Sequence, residues 1–127
     1  MSITRRSLEN NGEYKHMKNL IAKVIKWHED RNLIEGSTDK DQVLKLQQEL
    51  GELSDSVCKQ KDVRDDLGDM MVIMLNIMKR NDVTMEECLE TAYNDIKDRK
   101  GKMVDGVFIK EKELFIISIY HGKYMYL

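Results

Sequence analysis

The chain has 127 residues, 41% apolar and 35% charged, with 21 basic and 23 acidic side chains and a net charge of −2. That length suits one domain with a core of its own, burying roughly two-thirds of the surface the unfolded chain exposes. A near-neutral balance excludes a general nucleic-acid coat protein, which is usually basic, so no nucleic-acid polymer is expected as a partner. Proline is absent, glycine occurs only 7 times and Met outnumbers Phe by 9 to 2, which favours helices over a turn-rich sandwich or barrel.

Four helices are predicted in chain order. The first spans about 13–32, where Met17, Leu20, Ile21, Val24, Ile25 and Trp27 recur at helical spacing. The loop Glu35–Asp39 follows, with Ser37, Thr38 and Asp39 as cap candidates. The second helix spans about 40–59. Its Val43, Leu46, Leu50, Leu53 and Val57, spaced three and four apart, read as a narrow core-facing seam. The third spans about 62–80 and is apolar nearly all round from Met70 to Leu75, so neighbours should bury it on several sides. Thr84 and Glu87 form a capping-box pair that opens a fourth helix over about 85–100. Beyond Gly101, Val107–Ile109 and Phe115–Tyr120 fit either short strands or an apolar tail that docks on a partner. The expected architecture is an all-α four-helix bundle over 1–112 with a C-terminal tail over 113–127.

Cys58 and Cys88 form no disulfide framework, and the lack of any CxxC excludes a zinc ribbon. Arg5 and Arg6 precede no apolar run, so no secretory signal is expected. The apolar run Met70–Leu75 is far too short to span a bilayer. The expected location is the cytoplasm, with no membrane partner.

Two carboxylate pairs carry the chemistry. Glu49 and Glu52 lie three apart on the second helix, and Asp66 and Asp69 three apart on the third, so each pair shares a helix face. Lys45 joins the stripe of Glu49 and Glu52. Asp62, Asp66, Asp69, Ile73 and Asn76 share a stripe that turns apolar at Ile73, which makes Asp69 the expected deepest acid. A short turn at Gln60–Lys61 brings the two pairs face to face, and four carboxylates suit a hard cation, magnesium first, with manganese as a substitute. Against this, i,i+3 acid pairs arise by chance in so acidic a chain, and acids at a helix start simply complement its dipole. A di-iron bundle needs two ExxH motifs, and only Glu13–His16 fits one. Lys97, Arg99, Lys100 and Lys102 either balance a helix C-terminus or neutralise phosphate. Asn94 points away from the core seam unless a second subunit packs there. Trp27 and His28 form a small cluster that is either core or a platform for a base.

The order of these pieces resembles a known family. Trp27-His28-Glu29-Asp30-Arg31-Asn32-Leu33, then Lys45-Leu46-Gln47-Gln48-Glu49-Leu50-Gly51-Glu52-Leu53, then Asp65-Asp66-Leu67-Gly68-Asp69-Met70 look like the MazG-like branch of the all-α nucleoside triphosphate pyrophosphatases. The stretch Ala92–Lys102 is similar to the ending of the fourth helix in small bacterial and phage members. The resemblance implies a MazG-like helical bundle and a magnesium-dependent enzyme that cleaves nucleoside triphosphates to monophosphate and pyrophosphate. It implies Glu49, Glu52, Asp66 and Asp69 as metal ligands, with Glu49 or Glu52 orienting the attacking water. Asp66 stands where the family usually has Glu. Lys97, Arg99 and Asn94 match the phosphate-meeting region, Lys45 is a further candidate there, and Trp27 and His28 are candidates for the base. The family's habit implies a homodimer or a dimer of dimers. The rival expectation, from the Met-rich third helix and the apolar tail, is a non-catalytic helical interaction or regulatory protein.

Overall fold

Residues 5–113 are described by the structure, a computed structural model. The elements run α1 (Arg5–Asp30), α2 (Asp39–Cys58), α3 (Arg64–Arg80), α4 (Met85–Ile96), β1 (Gly101–Val104) and β2 (Val107–Lys110). They fall into two compact units, residues 1–85 and 86–127. The described residues are mostly helical, as the composition suggests, and the small sheet β1–β2 within 101–110 departs from the all-α expectation for 1–112.

In the first unit α3 packs against both α1 and α2. Thr38 caps α2 in a reciprocal box: its hydroxyl accepts the Asp41 N–H, and the Asp41 carboxylate accepts the Thr38 N–H. The loop before it closes on itself, with the Gly36 N–H donating to the Asn32 carbonyl at 3.1 Å. A Cβ at Gly36 would overlap Asn32, so only glycine fits. At the start of α3 the Asp62 carboxylate accepts the Arg64 N–H at 2.9 Å.

The centre of this unit is polar as well as apolar. Ile73 and Leu75 are buried beside His28, Glu49 and Asn76. Asn76, fully enclosed, donates to the Leu33 carbonyl at 2.9 Å and to His28 Nδ1 at 3.2 Å. His28 Nε2 lies 2.9 Å from the Val72 carbonyl. A carbonyl only accepts, so the ring proton is assigned to Nε2 and Nδ1 is the acceptor. This network ties α1, the loop after it and α3 together.

Arg80 makes a second tie. Its guanidinium donates to the Ile34 carbonyl and, at 2.9 Å, to Asp39, which also accepts from Asn81 at 3.1 Å. The Arg80 hydrogen bond, then that of Asn81, hold the Asp39 carboxyl below its ordinary value, with desolvation opposing. A depressed carboxylate supports the fold above its unfolded pKa and loses that support as pH falls through its folded one. Asp39→Asn is therefore expected to lower stability at neutral pH. The deficit should shrink as pH falls below the ordinary 3.8, measured by denaturant titration of both proteins across that range. A deficit that stays constant in acid would rule out the charged clasp.

The expected seam of α2 splits. Leu46 and Leu53 are half-buried on the α3 side, while Val43, Leu50 and Val57 are 44%, 50% and 57% exposed. The reason is that α3 covers only one side of α2. Likewise α3 is not buried all round: Leu67 and Met71 are exposed.

In the second unit α4 ends at Ile96, short of the expected position near Lys100. The segment 101–110 is a hairpin, with Met103 paired to Phe108 and Val104 to Val107. Asp105 and Gly106 have φ of 49° and 81°, the two left-handed residues of a type I′ turn. Gly101 is required because a Cβ there would overlap the Ile109 carbonyl. Val107–Ile109, for which the sequence pattern fits either a strand or a docking tail, belongs to β2, whereas β1 was not foreseen, since Gly101 and Lys102 weaken its pattern. The stretch Phe115–Tyr120 lies outside the described residues.

Candidate metal centre

The short connection Lys59–Val63 folds α3 back along α2. Glu49 and Glu52, three apart, project from one face of α2 toward Asp69 of α3. Each of the three offers an oxygen, and these oxygens all lie within 4.8 Å of one another. Glu49 is the deepest, 7% exposed. Asp69 is half-buried and Glu52 exposed, so the expectation that Asp69 lies deepest is corrected. Glu49 lies between the half-buried Leu46 and Leu53 on the side of α2 that faces α3.

Glu49 Oε2 is the informative atom. It is enclosed and has no hydrogen-bond partner in the protein. Its other oxygen, Oε1, lies 3.6 Å from Lys45 Nζ, whose ammonium also donates to Gln48 at 3.2 Å. An enclosed carboxylate oxygen without a partner is costly. Here it sits near two further carboxylates, with the Lys45 ammonium on the other oxygen. Three carboxylate oxygens this close could hold a metal ion, and an all-oxygen donor set suits a hard cation better than a soft one.

The electrostatics carry the same strain. The Glu52 carboxyl is pushed above its ordinary value, first because only its protonated form can donate a hydrogen bond to the Glu49 carboxylate, then by the Glu49 charge, desolvation and Asp66, with Lys45 opposing. Asp69 is raised first by burial, then by Asp65, Glu49 and Asp66, again with Lys45 opposing. Asp66 is half-buried and falls outside the converging three, acting on Glu52 and Asp69 through its charge. Asp65 belongs to the same field. Sequence spacing passes over it because it lies off the Asp66–Asp69 stripe.

The other candidates fall elsewhere. His28 is enclosed and both its ring nitrogens are engaged by the protein itself, so no ring nitrogen is left for a base. Trp27 is 45% exposed, but the Arg31 guanidinium covers one ring face at 4.3 Å and the His28 ring meets it edge-on at 5.3 Å. Asn94, Lys97 and Arg99 belong to the second unit. Asn94 and Lys97 are exposed there, and Arg99 pairs with Asp95 at 2.7 Å. Arg80, which the sequence reading did not single out, is a structural clasp. Its signal was the basic pair Lys79–Arg80 ending an otherwise apolar helix.

Among the described residues no helix is long and apolar enough to cross a membrane. No family model matches the chain, and no solved structure matches it at a significant level. Among curated proteins it is similar to an uncharacterized 18.2 kDa protein from the rep–hol intergenic region of Haemophilus phage HP1, 41% identical over 69 residues. The match takes in 53% of this chain and 42% of that protein, so the chain spans less than half the length of the relative it matches.

Proposed function

We propose that the chain is a magnesium-dependent nucleoside triphosphate pyrophosphohydrolase, a homo-oligomer of the MazG-like kind. The observation that carries this reading is the enclosed, unpartnered Glu49 oxygen facing Glu52 and Asp69. An acidic cluster alone is common. One that buries a bare carboxylate oxygen calls for a cation. The motif order from Trp27 to Asp69 adds the reaction class through its resemblance to that family.

Glu49, Glu52 and Asp69 would hold the cation, with Asp66 adding negative potential. Magnesium bound there supplies neutralisation of the triphosphate and of the departing pyrophosphate. Glu52, the exposed member of the three, would orient the attacking water and take its proton. Water adds to the α-phosphorus, the α–β bridging bond breaks, and the products are a monophosphate and pyrophosphate. Asn94, Lys97 and Arg99 stay candidates for the phosphates, and Trp27 for the base, on the resemblance alone.

Incubation with nucleoside triphosphates and magnesium is expected to release pyrophosphate and no orthophosphate. Orthophosphate as sole product would place cleavage at the γ position and overturn the reaction class. A second reading, a helical interaction protein without catalysis, is favoured by the exposed apolar rows of α2 and α3. Thermal shift separates the two: magnesium with a non-hydrolysable triphosphate raises the melting temperature of the enzyme by mass action. No shift at millimolar ligand leaves the interaction protein.

A further inference from the structure

Lys26 meets Asp30 at 2.8 Å and Lys59 meets Asp55 at 2.9 Å, each one turn away along the chain and each at the ordinary distance of a charged hydrogen bond. Lys45 is placed in the same way relative to Glu49 but stops 3.6 Å from its Oε1. Yet Glu49 is by far the most enclosed of these acids, its side chain 10% exposed against 54% for Asp30 and 56% for Asp55. A pair built to neutralise an enclosed carboxylate would close to contact, because close geometry is what offsets the lost water. The Lys45 ammonium instead donates to Gln48 Oε1 at 3.2 Å, and its side chain is 51% exposed. A flexible four-carbon stem lets such a group withdraw into water without disturbing the packing beneath it.

The charges around Glu49 give this loose pair a role. Glu49, Glu52 and Asp69 each bring an oxygen within 4.8 Å of the others, and Glu49 Oε2 is enclosed with no protein partner. Lys45 is the cation that opposes the upward shift of both Glu52 and Asp69, so its charge acts on the whole cluster. An incoming ion must therefore do better than the ammonium beside it. Sodium or potassium brings one charge, is repelled by Lys45 and gives up part of its own water, so it exchanges like for like. A divalent ion brings two charges, and its attraction to the three carboxylates is doubled.

We infer that Lys45 is the placeholder cation of this site and sets its specificity: it answers one unit of charge, so that only an ion carrying two gains by entering. The inference rests on the metal-binding reading of Glu49, Glu52 and Asp69. It is independent of the reaction and is tested without activity.

The test uses the full chain without nucleotide, read by calorimetric titration with magnesium chloride and by melting temperature. Lys45→Met keeps the stem and removes the charge. It is expected to tighten magnesium binding about tenfold, the order of what one charge contributes at this distance near a protein surface. Lys45→Gln, which can still bond Gln48, should do the same, so the effect is read in two proteins. Both changes should also admit monovalent ions. The melting temperature is compared in sodium chloride and in tetramethylammonium chloride of equal concentration, whose cation is too large to sit among the three oxygens. The sodium advantage should be larger in Lys45→Met and Lys45→Gln than in the wild type. Lys45→Arg, which keeps the charge, should match the wild type in both measurements. Magnesium bound no more tightly by the two uncharged variants, or more weakly, would overturn the inference, and so would one sodium advantage shared by all four proteins. A wild type without any response to millimolar magnesium removes the metal reading and the inference with it. A wild-type response left unchanged by Lys45→Met and Lys45→Gln removes the inference alone.

Discussion

Glu49→Gln is expected to abolish metal-dependent turnover, by more than about a hundredfold, the loss expected beyond that of a mere supporting group around a metal. It should leave the metal-free protein as stable as before, or more stable. The substitution keeps the shape of the side chain and removes the charge that the fold encloses without a partner. The new amide also donates, and its neighbours are the Glu52 and Asp69 carboxylates. Removing a charge that has no compensation commonly stabilises a protein, whereas removing one member of a satisfied pair destabilises it. The melting temperature without magnesium, and its rise with magnesium, read both effects. In the wild type that rise should grow as pH climbs above the ordinary carboxyl values of 3.8 and 4.5, because ligands must lose their protons before they bind a cation. The raised Glu52 and Asp69 carboxyls place that loss later than usual. The sign without metal is opposite: a raised carboxyl costs stability as pH climbs through its folded value. Glu49→Gln should flatten the magnesium response. A variant that melts well below the wild type without metal would make Glu49 the structural partner of Lys45, and the metal centre would fall with it.

Much of this centre was legible in the sequence because it depends on local rules. Three-residue spacing fixes which carboxylates share a face, and the turn at Gln60, with φ of 55°, returns α3 along α2. The Thr38 cap was legible for the same reason, a short side chain reaching a backbone N–H three residues on. What spacing does not reveal is depth. Glu49 lies deeper than Asp69 because of where α2 crosses α3, a matter of packing between helices. The seam of α2 misled for a related reason. A three-four apolar row shows that a helix has an apolar side, without showing whether its own chain or another covers it. Val43, Leu50 and Val57 fall on the uncovered part. At the hairpin, Asp105-Gly106 is a strong local signal for a type I′ turn, but Lys102 interrupts the apolar pattern of β1 and hides the first strand.

The largest effect on stability is expected at Asn76. Its amide is fully enclosed, and its two N–H groups serve the Leu33 carbonyl and His28 Nδ1. Its own oxygen has no partner, so the residue acts through its donors. Asn76→Ala leaves two enclosed acceptors unserved and opens a small cavity, a cost of about 2–4 kcal/mol. Against a total of roughly 5–15 kcal/mol this is a large share, worth on the order of 10–20 °C in melting temperature. Asn76→Asp should be worse than Ala although it is isosteric. It turns an oxygen toward two acceptors and encloses a negative charge as well. His28→Ala should fall near Asn76→Ala, since it removes the ring that bridges Asn76 to the Val72 carbonyl. The comparison also decides what His28 is for. A histidine that reads a base would be replaceable without loss of melting temperature, and its removal would raise KM for the nucleotide. A histidine that holds α1 to α3 lowers the melting temperature when replaced, with or without nucleotide, and the hydrogen bonds at both ring nitrogens place His28 in that second class. Equal melting of His28→Ala and wild type would return it to the first.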